Sequence, residues 1–311
     1  MIRRIGVCLL VLALAGAACS NKTENTKGVD NAKTYTVQVD AKKAGQPFNL
    51  FADAFFPKEL KVRAGDTVDF KLNWSGVPHT VTFGTLIDQG TPKFDPKADE
   101  EPAEWTKIPR MLPRGPGDAN QTSANPCFIA TGDPPKDGCP AAAKTQPEFT
   151  GTFSMYNSGF MPPDSTFSVA FAKSVAPGTY NFFCALHRGA MTGKVTVAAE
   201  RDTVLSPADV DAATTAEIAK AITTLTSRFD SVKAAKPGAP AGSVFAGWYD
   251  RKVVASTGLN AGVTVFGPKD VEIKTGGLAA WKIAGPHSIA FNPPQDAVEF
   301  LVKGPDGAFH L

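Results

Sequence analysis

Tyr180-Asn-Phe-Phe-Cys184-Ala-Leu-His187-Arg-Gly-Ala-Met191-Thr-Gly-Lys-Val-Thr-Val197 is the stretch on which the reading of this 311-residue chain turns. At period two, Tyr180, Phe182 and Cys184 share one face of a strand, and Val195 and Val197 share a face of a second. Between the strands, a short loop carries a thiol, an imidazole and a thioether in the order C-x2-H-x3-M. Sulfur beside imidazole suits copper, and two histidines with one thiolate and a weak axial methionine make a blue electron-transfer centre. The loop holds three such groups. A second histidine stands at the start of another strand, in Val77-Pro-His79-Thr-Val-Thr-Phe83.

Taken singly, each residue has an ordinary explanation. A cysteine on a strand face is usually a small buried hydrophobe, a histidine after proline a turn residue, and a methionine after Gly-Ala a core filler. The combination on two strands points to a metal. Zinc competes, but structural zinc takes several thiolates or a Cys2His2 set. Met161, in Gly-Phe-Met161-Pro-Pro, is the other candidate axial thioether, and its proline-rich setting reads as loop.

Asn73-Trp-Ser-Gly-Val-Pro-His79, Cys184-x2-His187 and Gly189-Ala-Met191-Thr-Gly-Lys-Val195 together resemble the plastocyanin/azurin-type cupredoxin family. The resemblance spans residues 34–199, broken by a long insertion. It implies one copper per chain, with His79, Cys184 and His187 as equatorial ligands and Met191 as the axial one. Plastocyanin spaces its last two ligands H-x4-M, whereas this chain has H-x3-M. Axial bond length and redox potential both depend on that loop.

Enzymes of the wider family need more copper ligands than this chain offers. Multicopper oxidases flank the copper cysteine with histidines, and nitrite reductases place one directly beside it. Here the neighbours are Phe183 and Ala185, and the whole chain has 4 His. The resemblance therefore implies an electron carrier rather than an enzyme, with His187 as the edge for transfer to a redox partner protein. A surface protein that buffers copper without carrying electrons is the alternative.

Residues 1–18 read as a signal peptide, with Arg3 and Arg4 before an apolar run too short to span a membrane. Ala15-Gly-Ala-Ala-Cys19-Ser20 resembles a bacterial lipobox, although Gly16 stands where leucine is usual. Cys19 is accordingly expected to carry a lipid, and residues 19–33 to form a polar tether. The protein is thus expected to be exported, facing the periplasm or cell surface from a membrane anchor. Without Arg3 and Arg4, the 32 Lys+Arg fall to 30, against 30 Asp+Glu. That balance, with no basic stripe, argues against nucleic acid as a partner.

Residues 34–83 alternate as short strands: Tyr35, Val37 and Val39; Leu60 and Val62; Val68, Phe70 and Leu72. Many short strands with Gly and Pro at the turns indicate an all-β Greek-key sandwich. Residues 84–150 form the insertion, rich in Pro, Gly, Lys and Asp. In an exported protein its two cysteines, Cys127 and Cys139, are expected to pair in a disulfide. Closing that loop of about 11 residues would contribute roughly 3 kcal/mol on the chain-entropy model. Ser206-Pro-Ala-Asp209 opens a helix over 206–236, followed by a linker.

Residues 242–311 then repeat the start of the sandwich. Pro57-Lys-Glu-Leu-Lys-Val-Arg-Ala-Gly65 is echoed by Pro268-Lys-Asp-Val-Glu-Ile-Lys-Thr-Gly276, and Val77-Pro-His79 by Gly285-Pro-His287. This reads as an incomplete second cupredoxin-like module, expected to pack on the helix or to be partly disordered. No cysteine follows Cys184, so His287 and His310 have no thiolate partner in this module.

Overall fold

The computed structural model describes residues 31–42, 49–73, 78–88, 122–124, 146–234, 242–249, 259–268, 270–283, 289–292, 302–303 and 309–310. Along the chain run β1 (Thr34–Lys42), β2 (Asn49–Phe56), β3 (Glu59–Val62), β4 (Thr67–Leu72) and β5 (Thr82–Phe83). A one-turn helix α1 (Thr85–Asp88) follows, then β6 (Tyr156–Asn157), β7 (Ser165–Ala170), β8 (Gly178–Cys184) and β9 (Arg188–Val197). Helix α2 (Pro207–Ala234) leads to β10 (Ser243–Tyr249), β11 (Asn260–Gly267), β12 (Ala280–Ile283), β13 (Val302–Lys303) and β14 (Phe309–His310). The signal peptide, Cys19, most of the tether, Cys127, Cys139 and His287 lie outside the described residues.

Two facing sheets form, ordered β12-β10-β11-β2-β1-β4-β7 and β3-β9-β8-β5-β6, and β13 pairs with β14 in a separate two-stranded ribbon. The all-β sandwich expected from the alternation is what forms. Strand β4 buries Val68, Phe70 and Leu72 and leaves the residues between them half-buried. On β9, Met191, Gly193, Val195 and Val197 fall in one buried phase. Three strand pairs are parallel, β1 with β4, β3 with β9 and β10 with β12; the first two make the chain cross between the sheets instead of meandering.

Aromatic rings from both sheets fill the space between them. Phe182 of β8 meets Phe55 of β2 at 4.8 Å and Phe70 of β4 at 5.1 Å between centroids, both edge-on. Each pair contributes about 0.5–1.5 kcal/mol beyond the area it buries. Gly193 lies directly across from Phe182: a Cβ there would strike the ring and come within 2.9 Å of the Lys58 carbonyl. Gly193→Ala is expected to cost about 1–3 kcal/mol through overpacking. An unshifted denaturant midpoint would contradict this packing.

Helix α2 starts as its sequence dictates. The Ser206 hydroxyl accepts the Asp209 N–H at 3.2 Å, capping the first turn. Its apolar stripe, Ile218, Ala221, Ile222 and Leu225, covers Ala41, Ala52 and Phe56 on the outer face of the first sheet.

The strands after the helix repeat the β1–β2 corner in detail. In each pair the register shifts at one residue, between Val39 and Ala41 in β1 and between Ala246 and Trp248 in β10. Both bulge residues are left-handed: Asp40 at φ 61 and Gly247 at φ 77. Strand β12 pairs parallel with β10, as β4 does with β1. This segment was expected either to pack on the helix or to be partly disordered, and Leu259 joins the cluster that α2 covers. The stronger tie is different: β11 pairs antiparallel with β2, Gly262 opposite Phe51, and so extends the first sheet. Main-chain groups on the free edge of β2 explain the outcome, since an open edge recruits a strand. Among the described residues, however, the inner face of the added strands is only partly covered: Val244 and Ala246 on β10 are buried, but β11 is more open. Phe266 is 45% exposed, whereas its counterpart Phe55 is 0%.

Candidate metal centre

His79 sits just before β5 in a single bridge with Met161, whose N–H donates to the His79 carbonyl at 2.9 Å. Cys184 ends β8, and His187 lies in the tight loop to β9. The Ala190 N–H closes that loop on the His187 carbonyl at 3.1 Å. One donor atom from each of His79, Cys184 and His187 lies within 4.8 Å of the other two. The two imidazoles stand 4.9 Å apart between centroids.

The donors are arranged for a guest. The Nδ1 atoms of His79 and of His187 are both buried without a hydrogen-bond partner. Leaving two such atoms dry costs about 1–3 kcal/mol apiece unless something binds them. Cys184 Sγ is fully buried and accepts a long hydrogen bond from the Thr80 N–H, at 3.4 Å. Burial alone would raise its pKa, but the adjoining imidazoles of His187 and His79 pull it well below the ordinary thiol value. A thiolate with two free imidazole nitrogens is a copper donor set, and the site fits copper.

Two carboxylates that the sequence reading did not single out complete the site. His79 Nε2 donates to Asp40 Oδ2 at 3.0 Å, with both side chains fully buried. Asp53 Oδ2 lies 3.6 Å from His187 Nε2, and Asp53 Oδ1 lies 4.0 Å from His79 Nε2. Burial lowers the His79 pKa, but Asp40 and Cys184 outweigh it and bring the value to about 10. His187 is likewise depressed by burial and raised overall by Cys184 and Asp53. Burial lifts Asp53 to about 7 against the pull of His187. The outer nitrogens thus face carboxylates, and the inner ones are left for the metal.

Thr80 ties this loop to the sheet. Its hydroxyl accepts the Ala185 N–H at 2.7 Å and reaches Thr82, which donates to Asn157 Oδ1 at 3.0 Å. Asn157 in turn donates to the Ser123 carbonyl at 2.9 Å, so three buried residues of the insertion brace the site from behind.

Of the two methionines, Met191 is 1% exposed and shares its inward phase on β9 with Val195, in one packed cluster with Cys184. Met161 is also buried in that cluster, paired with His79 by the bridge. Its proline-rich surroundings suggested a loop remote from the metal. One bridging pair, just before Pro162, is enough to carry it to the site's edge. His310 lies on β14, paired with β13.

No protein-family model matches the chain, and no curated protein sequence does. Solved structures do. The Cu(I) form of an amicyanin variant is 15% identical, covering 53% of this chain and 82% of its own, with a TM-score of 0.26. Dithionite-reduced auracyanin from Roseiflexus castenholzii is 19% identical over 53% of this chain and 97% of its own, TM-score 0.27. A pseudoazurin from a Sinorhizobium species is 17% identical over 54% and 76%, TM-score 0.22. In its all-β class and its His79-Cys184-His187 group, the chain resembles the cupredoxins.

Proposed function

We propose that this is an exported copper-binding electron-transfer protein with a single type 1 centre, held by His79, Cys184 and His187 with Met191 as the axial ligand. The observation that carries it is the buried Cys184 thiol beside two imidazoles whose Nδ1 atoms have no other partner. Copper in such a set supplies one-electron exchange between Cu(II) and Cu(I). The chain's own part is to keep water out and to offer an edge. His79 is 0% exposed and the His187 side chain 14%, which makes His187 the way in for an electron from a partner protein. An enzymatic role would need further ligands, and the chain's remaining histidines are His287 and His310. Among the described residues no helix is long and apolar enough to cross a membrane. Attachment would then come from a lipid on Cys19.

A visible spectrum of the copper-loaded soluble protein tests this directly. An intense thiolate-to-Cu(II) band is expected, with a reversible one-electron potential and fast self-exchange. Tight Cu(I) retention with slow exchange would favour copper buffering instead. Metal analysis should return one copper per chain despite the repeat, because no cysteine follows Cys184 to build a second thiolate site. Two tightly held coppers, both blue, would overturn the assignment.

A further inference from the structure

We propose that Asp40 is a positioning residue for this centre: its carboxylate anchors the outer nitrogen of His79, keeps Nδ1 as the free donor and biases bound copper toward Cu(II). The inference rests on the copper reading and extends it to a residue outside the ligand set. Asp40 Oδ2 takes the His79 Nε2–H at 3.0 Å with both groups at 0% exposure, so solvent does not compete for the bond. With Nε2 committed, Nδ1 is the remaining ring nitrogen, and it is the one found buried and unpartnered. A carboxylate on the far side of a ligating imidazole fixes its tautomer and orientation and makes the ring a stronger donor. A stronger donor favours the higher oxidation state.

The repeat within the chain separates this role from a purely structural one. Asp40 occupies a β-bulge at φ 61, a region that aspartate tolerates and most side chains avoid. Its other oxygen accepts the N–H groups of Ala41 and Ala52, which could suggest that it serves only the bulge. The matching bulge in β10 forms with Gly247 at φ 77 and has no carboxylate. The backbone therefore needs a left-handed residue there, and the acid is an addition. Asp53 too has no acidic counterpart, since the register places Thr264 at its equivalent position in β11. Both carboxylates accompany the half of the chain that has the cysteine.

Two variants test this in the full-length protein. Asp40→Asn keeps the size of the side chain but removes the charge and turns one of its two acceptor oxygens into an NH2 donor. One oxygen is then left for His79 Nε2–H and for the Ala41 and Ala52 N–H groups. Asp40→Gly copies the bulge of the repeat and removes the acceptor as well. In the copper-loaded protein, Asp40→Asn is expected to shift the balance between Cu(II) and Cu(I) affinities tenfold toward Cu(I), about 59 mV upward in potential. Asp40→Gly should shift it further in the same direction. In the metal-free protein, the His79 Nε2–H should give a slowly exchanging low-field proton resonance, weakened in Asp40→Asn and lost in Asp40→Gly. If wild type binds no copper, the proposed function fails, and this resonance still decides the anchoring role. Unchanged potentials in both variants, or a resonance that survives Asp40→Gly, would overturn the inference. Should Asp40→Gly not fold, the isosteric Asp40→Asn decides by its potential alone.

Discussion

Cys184→Ser is expected to abolish the intense visible absorption of the copper-loaded protein and to weaken Cu(I) binding more than about 100-fold. That magnitude exceeds what losing an outer-shell partner costs, because here the strongest in-plane donor itself is lost. The reason lies in the site's charge. Cys184 is fully buried, yet His187 and His79 hold its thiol well below the ordinary pKa, so it is a ready thiolate. A serine hydroxyl in the same place stays protonated, and no sulfur-to-copper charge transfer remains. The fold should survive, since serine fits the volume and can still accept the Thr80 N–H. Absorption titrated with Cu(II), beside a thermal melt of the metal-free variant, reads both. A blue band persisting in the serine variant would place the thiolate ligand elsewhere.

Met191→Leu is expected to leave copper bound while the potential rises by at least about 59 mV, a tenfold shift toward Cu(I). An axial thioether is a weak donor that tunes the centre without holding it. Leucine has similar volume, so the cluster around Val195 and Cys184 should repack at a cost below about 1.5 kcal/mol. The control is Met161→Leu, because Met161 is buried in the same cluster and bridged to His79. Voltammetry of both variants separates them. If the potential moves with Met161 and stays with Met191, the axial ligand comes from the segment before β7 and the H-x3-M spacing is incidental.

Much of the inner structure was legible because burial writes a period into a strand. Val68, Phe70 and Leu72 alternate on β4, and Val195 and Val197 on β9, so the facing sides of both sheets could be assigned by parity alone; Met191, read as a loop residue, instead lies on β9 in the same phase. The metal set was legible for another reason: thiol, imidazole and thioether side chains crowded into one short loop have few other uses. Ser206-Pro-Ala-Asp209 announced its helix through capping chemistry, which is local.

Asp40 escaped because parity fails at a bulge. Counted from Tyr35, Val37 and Val39, residue 40 belongs to the outer face. The extra residue turns its side chain inward onto His79 and sends Ala41 out to meet helix α2. Asp53 was more accessible, as a lone acid in Leu50-Phe51-Ala52-Asp53-Ala54-Phe55-Phe56, in phase with inward Phe55. A buried charge in such a run requires a partner, and that was the available signal. Met161 was legible as a second thioether but its place was not, since its neighbour His79 lies across a bridge unrelated to sequence spacing.

The sequence by itself determined the sandwich class, the loop with Cys184 and His187, and the repeat of the chain's first strands in its last. Each of these is a local pattern, set by alternation, by the spacing of donors or by direct similarity of two stretches. Only the tertiary structure decided that two carboxylates back the histidines, that Thr80 and Asn157 tie the loop to the insertion, and that β11 joins β2 to prolong one sheet. Those depend on where a bulge falls and which sheet edge stays open, and both are set by residues far apart in the chain meeting in space.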